Sequence, residues 1–244
     1  MPSVRETLLA ATCIPLAATA LAGCKTTQQS NDRLELRAKR ELASRVPVDV
    51  RKQNPEIKVE RTAVVDGAKG KGGAIVAVLK NVTGHVTNDL PIEVGVGGQP
   101  LNSGKTFTYG QTRAPALDPG EETTWVFQSD KPLPAGAPFA RVGTPPSPPL
   151  ATTGSLPGIE ADPAPGVSAA ANSTLSVKIT NKSDIPQYDL EVYAAARKGQ
   201  RYVVAGTTGV EHLGSNGSTT VDVPLTGDAK GTRVQLFIAP IYFK

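Results

Sequence analysis

Short apolar runs separated by turn residues dominate the chain from about residue 55 onward. Most of these runs are bounded by Gly, Pro, Asn or Asp, and in the first half none shows helical periodicity over more than two turns. Alternation of apolar and polar residues with period two is typical of strands in an antiparallel sheet. The pattern therefore predicts an all-β fold. The runs of the first half are residues 57–64, 74–79, 92–96, 107–109, 123–127 and 139–142.

Three blocks of this pattern recur in the same order about one hundred residues later. In the first block, both copies place an Asn at the end of a strand. The offset between copies shortens along the chain, as expected when small deletions fall in loops. An ordered repeat of this kind predicts two copies of one domain. The aligned blocks are 78–83 with 178–183 (offset 100), 90–94 with 188–192 (offset 98) and 117–127 with 213–223 (offset 96).

A proline-rich segment separates the two copies. Residues 145–165 contain seven prolines in twenty-one positions. Because proline at this density favours extended polyproline II, we expect residues 145–168 to be a semi-rigid linker that holds two modules apart. The predicted modules are antiparallel β-sandwiches over 55–144 and 169–244, each large enough to bury a core without disulfides.

The N-terminus carries the pattern of a secretory signal. Residues 8–23 form an apolar stretch that is short for a membrane-spanning helix. The stretch ends in LAGC at residues 21–24, which resembles the lipobox of bacterial lipoproteins. The resemblance implies that residues 1–23 are a signal peptide, that cleavage falls between Gly23 and Cys24, and that Cys24 carries a diacylglycerol lipid. The alternatives are an ordinary cleaved signal with a chance Cys, and a buried Cys in a short helix.

The lipobox resemblance also has consequences for redox state and location. Cys13 lies within the discarded segment, so the mature chain would keep a single, acylated cysteine and form no intramolecular disulfide. The implied location is the extracytoplasmic face of the cell membrane, with the outer membrane as an option in a diderm cell. The implied first partner is therefore the membrane, held through the lipid on Cys24.

Charge is concentrated beside this anchor. Residues 25–61 contain ten Lys and Arg against six Asp and Glu, whereas residues 62–244 contain fifteen of each. We expect residues 24–54 to be a solvated, polar basic tether with a helix over 31–45. Contact of this tether with anionic headgroups is the alternative. Since the later segments have no surplus positive charge to neutralise phosphates, we expect no nucleic-acid partner.

The repeated blocks resemble the small Ig-like bacterial modules known as CARDB-type and FxLYD-type domains. The resemblance rests on the Asn-led turns at 81–83 and 181–183, on LEVY at 190–193 and on LDPGE at 117–121. The second copy departs from the Pro-Gly turn with Ser-Asn-Gly at 215–217. The resemblance implies sandwiches of about seven strands, an extracytoplasmic accessory role and no shared catalytic residues.

Candidate chemistry is sparse. With two His and two Cys, the chain offers few residues for metal clusters or His-assisted nucleophiles, so we predict no metal, no cofactor and no enzymatic activity. The aromatic residues Trp125, Tyr109, Tyr193 and Tyr202 are the candidates for contact with a partner. Trp125 lies in an alternating strand, where inward packing is favoured over a role as a sugar platform.

The sequence thus predicts a non-catalytic cell-envelope lipoprotein that presents two Ig-like modules to an envelope protein or a wall polymer. Edge strands and end loops would make the contacts. The alternative is a lipoprotein that binds carbohydrate or a small ligand on an aromatic sandwich face. The exposure of the aromatic side chains distinguishes the two hypotheses.

Overall fold

The computed structural model describes residues 30–34, 36, 50, 53–67, 72–103, 109–145, 156–164 and 174–240. These residues are nearly all in antiparallel β-structure, which confirms the predicted all-β class. A short helix is described at residues 30–34 and 36, and a 3-10 helix at Tyr109–Gln111. The described strands are β1 (Ile57–Asp66), β2 (Gly73–Asn81), β3 (Leu90–Val96), β4 (Gln99–Pro100), β5 (Arg113–Ala114), β6 (Glu122–Ser129), β7 (Pro138–Val142), β8 (Ile159–Pro163), β9 (Thr174–Asn181), β10 (Gln187–Lys198), β11 (Arg201–Leu213), β12 (Ser218–Gly227) and β13 (Gln235–Ala239).

Both halves of the chain follow one strand order. The first half has a sheet β1-β2-β6 and a second sheet in which β3 pairs with β4, β5 and β7. In the second half, the two corresponding sheets are β8-β9-β12 and β13-β10-β11. They are joined at β12, which pairs with β9 through residues 218–224 and with β11 through residues 225–227. Strands β1, β2, β3, β6 and β7 therefore correspond to β8, β9, β10, β12 and β13.

The backbone fixes the register of the repeat. Asp89 and Asp189 both have positive φ, 50° and 48°, and each directly precedes a Leu of the following strand segment. Asp tolerates this left-handed conformation because its short side chain can bond to nearby backbone. The pair gives an offset of 100 residues for β3 and β10. The offset of 98 predicted for this block is thus two residues out.

An Asn side chain organises the same turn in both halves. Asn81 Oδ1 accepts hydrogen bonds from the amide and hydroxyl of Thr83 at 2.9 and 2.7 Å, and Asn81 Nδ2 donates to the carbonyl of His85 at 2.8 Å. Asn181 makes the same bonds to the residues two and four positions onward, at 2.9, 2.7 and 2.8 Å. Both Asn are buried. The turn accounts for the Asn-x-Thr/Ser pattern in the sequence.

Two hydrophobic clusters fill the molecule, and one crosses between the halves. The second cluster lies between β8-β9-β12 and β13-β10-β11. The first cluster lies between the sheets of the first half but also includes four residues of β10 and β11. The halves therefore share a core, in contrast to the predicted spacing of two modules by a linker. The four residues are Tyr193, Ala195, Tyr202 and Ala205.

Part of the predicted linker is a strand. Residues 159–163 form β8, which pairs antiparallel with β9 from Ile159↔Asn181 to Pro163↔Val177. Ile159 and Ala161 alternate along β8 and pack against the second cluster. The predicted linker 145–168 and the start of the second module at 169 therefore need correction, because the second half begins at β8. Residues 146–155 and 165–173 lie outside the described part of the chain.

Other N-terminal predictions fall mostly outside the described residues. These include the signal peptide 1–23, with Gly23 and Cys24, and most of the tether 24–54 and its predicted helix. No helix in the described part of the chain is long and apolar enough to cross a membrane. The predicted strand 107–109 is described only at Tyr109, which lies in a 3-10 helix instead.

Candidate functional site

Three of the four predicted aromatic contact residues lie inside the protein. Trp125 is 0% exposed, Tyr193 1% and Tyr202 4%. The side chain of Tyr109 is outside the described residues. The three described rings therefore form no exposed row on which a sugar could stack, and their assignment as surface contacts is corrected to internal packing.

Trp125 is a fully satisfied core residue of the first half. Its indole Nε1 donates to the carbonyl oxygens of Gly110 and Arg113, both at 3.2 Å. These two acceptors lie in and just after the 3-10 helix, so the indole ties that segment to β6. A buried Trp normally finds such a partner for its N–H. The inward packing favoured from the sequence is confirmed.

Tyr193 and Tyr202 lie where the second half meets the first. Ala195 pairs with Ala205 and Arg197 pairs with Tyr202, with a bulge at Val203 between these pairs. The bulge turns Tyr202 to the same face as Ala205, since one extra residue reverses the alternation of a strand. The Arg197 guanidinium covers the Tyr202 ring at 5.4 Å from its centroid. We call this contact between the sheets β1-β2-β6 and β13-β10-β11 the junction.

A polar contact at the junction centres on Gln128 of β6. Its Nε2 donates to Thr226 Oγ1 at 2.9 Å, and its Oε1 accepts the amide of Thr207 at 3.2 Å. Gly227, with φ of 99°, lies beside it, and a side chain there would overlap the Val203 carbonyl and contact Val65. The junction thus combines buried apolar side chains, a bridging amide and a backbone position open only to glycine.

An acidic cleft lies at one edge of the junction. It has a volume of about 370 Å³. The turn before β6 supplies two carboxyl groups and the first residue of β6 a third, while β8 with its preceding residues and β13 supply mainly apolar walls. The lining residues are Asp118, Glu121, Glu122, Thr123, Leu156, Pro157, Gly158, Ile159, Ala161, Leu236, Phe237, Ile238 and Pro240.

Glu121 is the perturbed titratable group of this cleft. Burial raises the pKa of its carboxyl above the usual 4.5, the Asp118 amide that donates to Oε2 at 2.7 Å lowers it, and the Asp118 carboxylate raises it. Asp118 Oδ1 also accepts the amide of Leu156 at 3.1 Å, which ties the chain before β8 to the first half. Within the described residues, no group of three or more His, Cys, Asp or Glu is arranged to hold a metal ion.

Sequence reasoning missed the junction, although one signal pointed to it. The run 74–79 is apolar at every position, and a strand with such a run is normally buried on both faces. In the structure β2 is indeed buried on both faces. The acidic cleft had no equivalent signal, because it depends on how β8 and β13 lie beside the turn at 118–122.

Comparison with known proteins gives no family. No protein-family model and no curated protein matches the chain. The C-terminal globular domain of an oligosaccharyltransferase from Pyrococcus abyssi aligns with a TM-score of 0.22 and 13% identity, over 83% of this chain and 52% of that chain. Red sea bream transglutaminase aligns with a TM-score of 0.19 and 10% identity, over 90% of this chain and 34% of that chain. The chain thus spans about half and about a third of these proteins.

Proposed function

We propose that this protein is a non-catalytic, lipid-anchored component of a bacterial cell envelope. In this proposal residues 1–23 are removed and Cys24 carries the lipid on the extracytoplasmic side. Two Ig-like sandwiches in tandem, β1–β7 and β8–β13, then form a scaffold that holds an envelope protein or a wall polymer at the membrane surface.

The observation that carries the scaffold role is the junction. Because Tyr193 and Tyr202 share a hydrophobic cluster with the first half, the two sandwiches are packed together rather than strung on a linker. Packed cores resist deformation, so the end loops and edge strands of both sandwiches keep a fixed spacing. A scaffold requires such a spacing, whereas a pair of freely moving modules would not provide it.

The Asn-held turn of the first half is the proposed contact point. Val82 lies in this turn and is 52% exposed. A rigid turn that presents a single large apolar side chain can enter a pocket of a partner without loss of loop entropy. Burial of Val82 would contribute up to about 1.5 kcal/mol.

The anchoring part of the proposal is tested by the mass of the mature protein. We expect the full-length chain produced in a bacterial host to lose residues 1–23 and to gain the mass of a lipid on residue 24. Cys24→Ala should abolish that gain, whereas the matched variant Cys13→Ala should leave the mature mass unchanged. A mature chain that begins elsewhere, or that carries no lipid, would contradict the proposal.

The scaffold part is tested by cross-linking in intact cells. A photo-crosslinking residue at position 82 should give one defined adduct, because the proposed partner is bound at this turn. The same residue at Lys131, an exposed position between β6 and β7, serves as the control. Equal and diffuse labelling from both positions would argue against a specific partner.

A further inference from the structure

The short helix beside the anchor contacts the second half of the chain, not the first. Arg33 Nη2 donates to Glu211 Oε2 of β11 at 3.2 Å. The Arg33 guanidinium also lies 6.0 Å from the centroid of the Tyr188 ring on β10. The Arg33 side chain is only 16% exposed. A helix that precedes the first sandwich in sequence is therefore docked on the second.

The receiving surface is well packed. Tyr188 is 2% exposed, and its ring lies 5.0 Å from that of His212, its partner across the β10–β11 pair. Burial raises the pKa of the Tyr188 hydroxyl, Asp32 adds to the rise and Arg33 opposes it. Both Asp32 and Arg33 of the helix are thus close to Tyr188. Because the Glu211 side chain is 81% exposed, the ion pair alone contributes little, and the contact of the Arg33 guanidinium with the Tyr188 ring adds to it.

Chain length then decides which end of the second half faces the anchor. Five residues separate Cys24 from Ser30, where the described helix begins, and six extended steps reach at most about 22 Å. Strand β10 runs from the Tyr188 end to the hairpin at residues 199–200, about 33 Å away. A lipid on Cys24 therefore lies near the Tyr188 end.

We propose that the second sandwich lies against the membrane, with its Tyr188 end facing the lipid bilayer, and that the first sandwich is held in place through the junction. This inference rests on the proposed lipidation of Cys24. Sequence order alone would give the opposite arrangement, because the first sandwich directly follows the tether.

Exposed apolar side chains at this end agree with a bilayer as the occupant. Leu34 follows Arg33 on the helix and is 65% exposed, and Ile185 precedes Tyr188 by three residues and is 41% exposed. Among the described residues only one other large hydrophobic side chain, Val82, is exposed to this degree. Apolar side chains beside a lipid anchor add to its hold by entering the interfacial layer.

Depth-dependent quenching in vesicles tests the orientation. The lipidated full-length protein is reconstituted in phosphatidylcholine vesicles that contain a nitroxide-labelled phospholipid. An environment-sensitive fluorophore is attached at Ile185→Cys or, as matched control, at Gln200→Cys in the far hairpin. We expect the label at 185 to be quenched at least about twofold more strongly than the label at 200. Equal quenching, or stronger quenching at 200, would overturn the proposal.

Flotation separates the failure of this inference from that of the proposed function. If the protein carries no lipid and does not float with the vesicles, the anchoring proposal fails and the orientation fails with it. If it floats but the two labels are quenched equally, the anchor is upheld and only the orientation is overturned.

Charge exchange tests the docked helix. Arg33→Glu and Glu211→Arg should each reduce quenching at 185, and the double variant should restore it because the ion pair is re-formed with opposite polarity. Lys58→Glu, which breaks a surface pair with Glu60 in the first half, is the control and should have no effect. Unchanged quenching in both single variants would contradict the proposal, and circular dichroism verifies that each variant is folded.

Discussion

The corresponding strands β2 and β9 have the same place in the sheets of their halves but different outer faces. On β2 the outward Val76 is paired with Val126, and both are buried. At the corresponding pair of the second half stand Ser176 and Asp222, which are hydrogen-bonded and exposed to solvent. The inner faces of both strands are apolar. This difference teaches that the inward-facing residues form the core of each half, while the outward-facing residues decide what packs against that half.

The other sheet shows the reverse difference. In the first half, β3 and β7 place Glu93 opposite Arg141, and their side chains form an ion pair at 3.4 Å. In the second half, β10 and β13 place Tyr193 opposite Phe237 at the junction. Each half thus has an apolar outer pair on the sheet that meets its neighbour and a polar pair on the sheet that does not.

Exchange of these pairs should have the largest effect. The double variant Tyr193→Glu with Phe237→Arg places a copy of the Glu93–Arg141 pair in the junction. The two charged side chains would lose their hydration there. We expect the free energy of unfolding to fall by about 3–5 kcal/mol, since charges would be buried with poor compensation. Trp125, the single tryptophan, reports unfolding of the first half, and circular dichroism reports both halves. In the variant these two denaturation curves should separate.

The control for this exchange is Tyr193→Phe, which keeps the ring and should cost less than about 1.5 kcal/mol. If the exchanged variant unfolds with coincident curves and unchanged stability, the junction does not hold the halves together.

Gly227→Ala should have the next largest effect. The added methyl group would overlap the Val203 carbonyl at a φ of 99°, so we expect a loss of about 3 kcal/mol in a denaturant titration. Gly231→Ala shares the positive φ, 70°, but has nothing within 4 Å of its added methyl group. It should cost only about 1 kcal/mol. Equal losses in the two variants would show that backbone strain, not the clash, dominates.

The two Asn turns should respond alike. Asn81→Ala and Asn181→Ala each remove a buried side chain that bonds to backbone on both sides, so each should cost about 2 kcal/mol. Thermal unfolding with both optical probes measures the losses. A loss confined to one variant would mean that the turn organises only one of the two sandwiches.

Glu121→Gln should have the smallest effect. In the second half Gly217 stands at the corresponding position, because its carbonyl accepts the amide of Asn181 as the carbonyl of Glu121 accepts that of Asn81. Burial raises the pKa of Glu121 in the folded protein above its usual 4.5. The neutral carboxyl therefore contributes to the free energy of unfolding below about pH 4.5, and this contribution is lost as the pH rises through the pKa of the folded state. The variant should therefore gain under about 0.5 kcal/mol at pH 7, because the group is partly exposed.

Denaturant unfolding at pH 4 and pH 7 measures this difference. The gain should shrink toward pH 4, where the carboxyl of the parent protein takes up its proton. A gain that is larger at pH 4 than at pH 7 would contradict the assigned direction.

The sequence predicted what depends on local pattern. Short apolar runs bounded by turn residues identified strands such as β2 and β6, and the repeat identified Asn81 and Asn181 because the same side chain closes the same turn. It failed at β8, where proline-rich composition hid the alternation of Ile159 and Ala161. The five residues of β8 form a strand because they pair with β9, and this pairing is not visible in their own sequence.

The junction and the cleft depend on contacts between distant elements. Alternation shows that Tyr193 and Ala195 share a face, but not whether another sheet covers that face. The docking of Arg33 on Tyr188 and Glu211 joins residues more than 150 positions apart. No local pattern carries such a contact, so the candidate site could not be built from the sequence.

The ion pair between Glu93 and Arg141 also affects whether several copies of this protein can assemble into a filament. The junction is a head-to-tail contact between a repeat and its copy, and such a contact can in principle continue without end into a filament. Addition of another protein molecule at the free sheet of the first half would strip water from the Arg141 side chain, which is 57% exposed, at a cost that its pairing with Glu93 offsets only in part. The opposite free sheet, with Ser176 and Asp222, imposes a similar cost. The polar pairs thus disfavour growth of the array beyond two repeats.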